Sequence, residues 1–179
     1  MRWLWIDRFL EFECGKRAVA IKNVSLVEEE LDGYFSGFPF LPSSLIIEGM
    51  AQTGGLLVGE VSDFRERVVL AKVSKAIFHQ SALPGDQLMY TAEIADINAQ
   101  GAIVRGTSHI GEQLQAEIEL VFAQLDSRFG SEILFEPEEF LNTLRLFRLY
   151  EVAKTATGGP KEPPEHLLEA YRNAFETTS

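Results

Sequence analysis

SSLIIEGMAQTGGLLVGEVSDF, Ser43 to Phe64, is the stretch whose reading decides the fold. Pro42 stands just before it, and Ser43 and Ser44 are both good N-cap residues, so a helix is predicted to open there and run on through the stretch. Its first three turns carry apolar or small residues on nearly every side, the pattern of a helix buried all round rather than one with a wet face. Such a helix needs a layer wrapped about it.

The flanking sequence supplies that layer. Arg17 to Ser25 alternates apolar and polar residues, as do Val68 to Ser74, Gln87 to Ile97, Ala102 to Ile110 and Gln113 to Ala123, and each reads as a strand. Gly111 turns the last pair, and Asn98 to Gly101 supplies another turn, so neighbouring strands form antiparallel hairpins. The expected class is α+β: an antiparallel sheet around one central helix, the hot-dog arrangement.

Between Gly33 and Gly55, an otherwise almost chargeless run, the only carboxylate is Glu48. It comes one position too late to close a capping box. Burying an ionised carboxylate is costly unless it is paired or hydrogen-bonded, and an apolar setting is how a general acid is made at neutral pH. Gln52, at i+4, shares its helical face and can hold one carboxylate oxygen while the other faces a cavity. The helix N-terminus adds free N–H groups that suit a carbonyl oxygen gaining charge. These parts suit a thioester or a similar carbonyl; a structural Glu at a helix–sheet junction is the other reading they allow.

Composition narrows the classes. The chain has 179 residues, 46% hydrophobic and 24% charged, ordinary values for a globular protein with one core and an appendage. No run approaches the roughly 20 apolar residues of a membrane span, and no signal peptide is read at the start, so a cytoplasmic location is expected. A formal charge of −11 argues against nucleic acid as a partner. The lone Cys14 excludes an internal disulfide and a cysteine zinc cage; no cofactor or metal is expected. Arg65, Arg67, Lys72 and Lys75 form one basic island, either a solvated rim or a dock for an acidic protein. After residue 126 the composition changes. Two amphipathic stretches, Glu138 to Lys154 behind Pro137 and Glu165 to Phe175, flank the loop TATGGPKEPP. The expected division is therefore a core at 1–125 and a helical extension at 126–179, the extension capping the core, binding a partner or staying mobile.

Several separated motifs carry a resemblance: AIKNVS, GYFSGFPFLP, SSLIIEGMAQTGG and the later ALPGDQL, in that order. Over about residues 4 to 125 the chain resembles the 3-hydroxyacyl-(acyl carrier protein) dehydratases of fatty-acid synthesis, the FabZ/FabA type. The resemblance implies a hot-dog dimer, or an assembly of dimers, with each site at the subunit interface and an acyl tunnel beside the helix. It implies an acyl carrier protein, loaded with an acyl or 3-hydroxyacyl chain, as partner. In such enzymes a His of G-H-F-P-G-x-P-x-x-P-G removes the α-proton and a Glu of E-A-M-A-Q from the other subunit protonates the leaving hydroxyl. Here Glu48 and Gln52 match the second motif. Gly37 matches the central Gly of the first, and Phe38 follows it. Ser43 stands where the family's oxyanion N–H lies, in place of a Gly.

Tyr34 stands at the His position, and Ser36 replaces a Pro. The resemblance thus assigns Glu48 and Tyr34 to the chemistry and Gly37, Phe38, Ser43 and Gln52 to substrate binding. A tyrosine near its ordinary pKa of about 10 donates a hydrogen bond but is a poor base. His79, His109 and His166 read as surface or structural residues. The implied activity is dehydratase-like with catalysis weakened or altered; a non-catalytic carrier-protein partner and a thioesterase using Glu48 are the alternatives. Tunnel depth depends on how Phe38, Phe40, Phe64 and Phe78 pack.

Overall fold

The structure is a computed structural model that describes residues 3–28, 31, 38–125 and 135–176. Its elements run β1 (Arg8–Glu13), β2 (Arg17–Asn23), α1 (Ser43–Glu60), β3 (Arg67–Phe78), β4 (Gln87–Asn98), β5 (Gly101–Ile110) and β6 (Gln113–Leu125). They continue with α2 (Pro137–Leu146), α3 (Leu149–Val152), β7 (Ala153–Lys154) and α4 (Glu165–Glu176). One sheet of the order β3-β6-β5-β4-β2-β1-β7 results, antiparallel throughout except for the short β1–β7 pair. This is the hot-dog architecture expected from the alternating segments and the apolar helix.

All five strands legible by alternation are present. The sixth, β1, breaks the period of two because its register slips between Phe9 and Glu11. Its buried residues, Phe9 and Phe12, therefore stand three apart. The two-residue β7 has no pattern of its own, and only its pairing with Phe12 and Glu13 makes it a strand.

Helix α1 lies on the sheet's inner face, where Leu88, Tyr90, Val104, Ile118 and Leu120 are buried beneath it. Close approach depends on Gly106 of β5, since a Cβ there would sit 2.2 Å from Met50 Sδ. The helix is entered differently from the expectation. Pro42 occupies the cap position, with no side-chain capping bond, and its carbonyl accepts the Leu45 and Ile46 N–H groups at 2.9 and 3.3 Å. Ser43 and Ser44 are already helical and exposed. At the far end the helix stops at Glu60 rather than at Phe64, because Asp63 and Phe64 turn left-handed with φ of 53° and 58°.

Burial of α1 is one-sided. Against the sheet it is sealed, while Ile47, Glu48, Gln52, Gly55 and Leu56 form a half-buried stripe on the other flank. A single sheet covers one side of a helix, so the all-round apolar pattern exceeds what this chain alone buries.

The C-terminal segment packs on the same core. Leu141, Leu144, Phe147, Leu149, Ala153 and Leu167 join the buried cluster that includes Phe9 and Phe12. Backbone bonds Phe9 N–H to Phe147 O, 2.8 Å, and Cys14 N–H to Lys154 O, 2.9 Å, stitch it to β1. The helix expected over Glu138 to Lys154 is broken at Arg148, which is left-handed with φ 56°. The Gly-rich loop closes as a turn, Thr155 N–H donating to Gly159 O at 2.8 Å. The boundary drawn at 125/126 meets residues 126–134, which lie outside those described.

One ion cluster ties this segment to α1. Lys161 Nζ lies 2.8 Å from Glu60 Oε1 and 2.7 Å from Asp63 Oδ1, and Glu60 is only 3% exposed. Burial works against the Lys161 ammonium, but its hydrogen bonds to Asp63 and Glu60 outweigh that and hold its pKa above the usual lysine range. Burial first, then the neighbouring Glu60, pushes the Cys14 thiol up to about 12, so it is no nucleophile at neutral pH.

Candidate active site

Glu48 sits in the second turn of α1, half-buried on the flank that faces away from the sheet. Gln52, one turn on, donates from Nε2 to Glu48 Oε1 at 3.0 Å, the i,i+4 bond that the spacing predicts. The rest of the Gln52 amide is also engaged: Nε2 donates to Trp3 O at 2.9 Å, and Oε1 accepts the Trp5 N–H at 2.8 Å. With both amide hydrogens used, Gln52 has no donor left for a substrate, and its geometry suits holding Glu48 in place.

The remaining assigned residues divide. Ser43 opens α1, ahead of the first N–H groups that the helix itself satisfies, so its backbone N–H has no partner within the helix. Phe38 is 61% exposed. Tyr34 and Gly37 lie outside the described residues. The segment after them is fixed where Leu41, buried, donates its N–H to Ala82 O at 2.8 Å. The ALPGDQL turn also takes the Val24 N–H on Asp86 O at 2.9 Å, which brings AIKNVS, FLP and ALPGDQL together.

Other polar groups that sequence spacing did not single out surround the N-terminal segment. Lys22, 8% exposed, reaches Glu28 Oε1 at 2.5 Å and lies over the Trp5 ring at 5.5 Å from its centroid. These contacts lie within no single strand or helix and have no local signature. Glu60 is a similar case: it is more deeply buried than Glu48, and its partner comes from about a hundred residues further on. Of the histidines, His79 is exposed and bonds Glu117 at 3.1 Å on the sheet. Lys75 of the basic island is paired with the same carboxylate at 2.9 Å. These bonds, that from Lys75 foremost, hold the Glu117 carboxyl below the usual range. No helix among the described residues is long and apolar enough to cross a membrane.

A helix packed on an antiparallel sheet, with a carboxylate held near its start, defines a hot-dog protein. A FabA-like domain family matches residues 1–119, and the curated relatives agree. The 3-hydroxyacyl-[acyl-carrier-protein] dehydratase FabZ of Symbiobacterium thermophilum is 40% identical over 126 residues, covering 70% of this chain and 89% of the relative. That of Pelotomaculum thermopropionicum is 38% identical over 122 residues, covering 68% and 87%. The chain belongs to the FabA-like family, within its FabZ dehydratase branch.

Solved structures bear on the fold alone. One chain of the dehydratase heterocomplex ApeI:P from Xenorhabdus doucetiae superposes with a TM-score of 0.58 at 14% identity, over 70% of this chain and 85% of that one. A hypothetical thioesterase protein from Streptococcus pneumoniae gives 0.55 at 11%, over 66% and 84%. Dehydratases and thioesterases thus share the architecture, and it is sequence that separates them here.

Proposed function

We propose that this chain is a (3R)-hydroxyacyl-acyl carrier protein dehydratase-like protein of fatty-acid or related lipid synthesis, binding acyl thioesters, with catalysis weakened or altered by Tyr34. The observation that carries this reading is Glu48, held by Gln52 on the open flank of α1 in a chain nearly 40% identical to FabZ dehydratases. In slow wild-type turnover a solvent water takes the α-proton, the C–H electron pair forms the C=C bond and the C–OH bond breaks; the hydronium so formed later reprotonates Glu48. Glu48 gives the leaving hydroxyl its proton, so that it departs as water. The Ser43 N–H receives the thioester oxygen as charge builds on it. Tyr34 of the other subunit supplies a hydrogen bond rather than a base, and Gly37 and Phe38 line the approach. The chemistry is assigned to 1–125, and 126–179 supports it from the far end of α1.

Purified protein given 3-hydroxyacyl and acyl carrier-protein thioesters tests the reading. Slow water loss, or water loss gained on repair of the base, supports it. Release of free thiol would move the protein to the thioesterases.

A homodimer is part of the same reading. Among the described residues β3 ends the sheet, pairing with β6 on one side, and Leu70, Val73 and Ile77 along it are exposed. A twelve-residue edge of this kind is a template for another strand, and the half-buried stripe of α1 calls for a second cover. Light scattering at micromolar concentration should return the mass of two chains or a multiple; the mass of one chain would refute the dimer.

A further inference from the structure

We infer that the N-terminal segment Trp3–Trp5 is a positioning element of the site, setting which end of the Gln52 amide meets Glu48. This rests on the reading of Glu48 as the acid/base group. A glutamine at i+4 from a glutamate can present either its NH₂, which attracts the carboxylate, or its oxygen, which repels it. Here the choice is made by backbone groups: the Trp5 N–H can only take the oxygen end, at 2.8 Å, and the Trp3 carbonyl can only take the nitrogen end, at 2.9 Å. The second Nε2 hydrogen is then aimed at Glu48 Oε1, at 3.0 Å. One Glu48 oxygen is held and the other stays available for proton transfer.

The segment is itself fixed. Trp5 is 5% exposed, with Lys22 over its ring and the Trp3 ring edge-on at 5.3 Å. Its carbonyl comes so close to α1 that a Cβ at Gly49 would stand 2.8 Å from Trp5 O and 2.7 Å from the Tyr90 ring. Neither the backbone oxygen nor the buried ring has room to yield. Gly49, next to the reactive carboxylate, is therefore the residue that admits the segment. Sequence reading assigned Gln52 to substrate binding; in this inference its amide is instead wholly committed to the carboxylate and the segment.

Three variants and one spectroscopic readout test this in the full-length protein. Gln52→Leu removes the clamp, and Gly49→Ala pushes the segment away while leaving Gln52 intact. Measured in the Tyr34→His background, each should lower kcat about 10- to 100-fold, as expected for a misplaced group, with KM within about twofold. Side-chain ¹⁵N–¹H spectra should give Gln52 two well-separated, exchange-protected amide protons. Glu48→Ala should move one of them, and Gly49→Ala should collapse both towards the values of an exposed glutamine. Unchanged kcat in Gln52→Leu, or exposed-type Gln52 signals in the wild type, would overturn the inference. Should Gly49→Ala fail to fold, Gln52→Leu and Glu48→Ala still decide it. Should no background dehydrate any thioester, the reading of Glu48 falls, and the amide spectra alone decide the positioning role.

Discussion

Tyr34→His should raise the rate of 3-hydroxyacyl thioester dehydration by about 10²- to 10⁴-fold, the range a well-placed general base supplies. A phenol with an ordinary pKa of about 10 is almost wholly protonated at pH 7, so it orients but does not abstract, whereas an imidazole near 6.5 is poised to take a proton. The proposed acid half, Glu48, is held by Gln52 near the start of α1. Ser36 and Ser43, where the family motif has Pro and Gly, pull the gain towards the lower end of the range by altering the loop's shape. Glu48→Gln in the Tyr34→His background should return the rate to baseline with melting temperature preserved, since the amide keeps the shape but cannot transfer the proton. Steady-state rates for wild type, Tyr34→His, Tyr34→Phe and the double variant settle it. Brisk wild-type dehydration that survives Tyr34→Phe would mean that another residue supplies the base.

Lys161→Met should destabilise the protein by about 3 kcal/mol, the cost of leaving a buried charge without its partner. Glu60 is 3% exposed, and its ion pair with Lys161 is its link to the C-terminal segment. Asp63, the other end of the bridge, is more open and contributes less. Since domains are stable by only about 5 to 15 kcal/mol, such a loss is plain in a urea midpoint. Adding Glu60→Gln should recover most of it, because the stranded charge rather than the lost attraction is the larger cost. Lys161→Met at wild-type stability would show that the extension is a dispensable appendage. The same reasoning expects truncation after Leu125 to be more damaging than Lys161→Met, since it also uncovers Phe9 and Phe12 and removes β7 from the sheet edge.

How much of this was legible in the sequence follows from the range of the interactions. Side-chain alternation is a local property, and Arg17 to Ser25, Val68 to Ser74, Gln87 to Ile97, Ala102 to Ile110 and Gln113 to Ala123 each carried it, so five strands and their hairpins could be read off. The apolar run after Pro42 announced a central helix, and Glu48 with Gln52 at i+4 announced a held carboxylate, because one helical turn is all that the pair spans. Motif order named the family. Where a local rule was interrupted, reading stopped: the slip in β1 hid a strand, left-handed Arg148 cut a helix in two, and Pro42 took the cap position expected for a serine.

Everything that joins distant segments was decided by tertiary structure alone. No spacing in the chain points from Gln52 to the backbone of Trp3 and Trp5, or from Glu60 to Lys161, since these pairs are brought together only when α1 settles on the sheet. Side-chain chemistry, periodicity and motif order thus determined the elements, the family and the carboxylate that Gln52 holds. Packing decided which groups hold that carboxylate and which buried charge the C-terminal segment neutralises, because burial and long-range hydrogen bonding exist only in the folded chain.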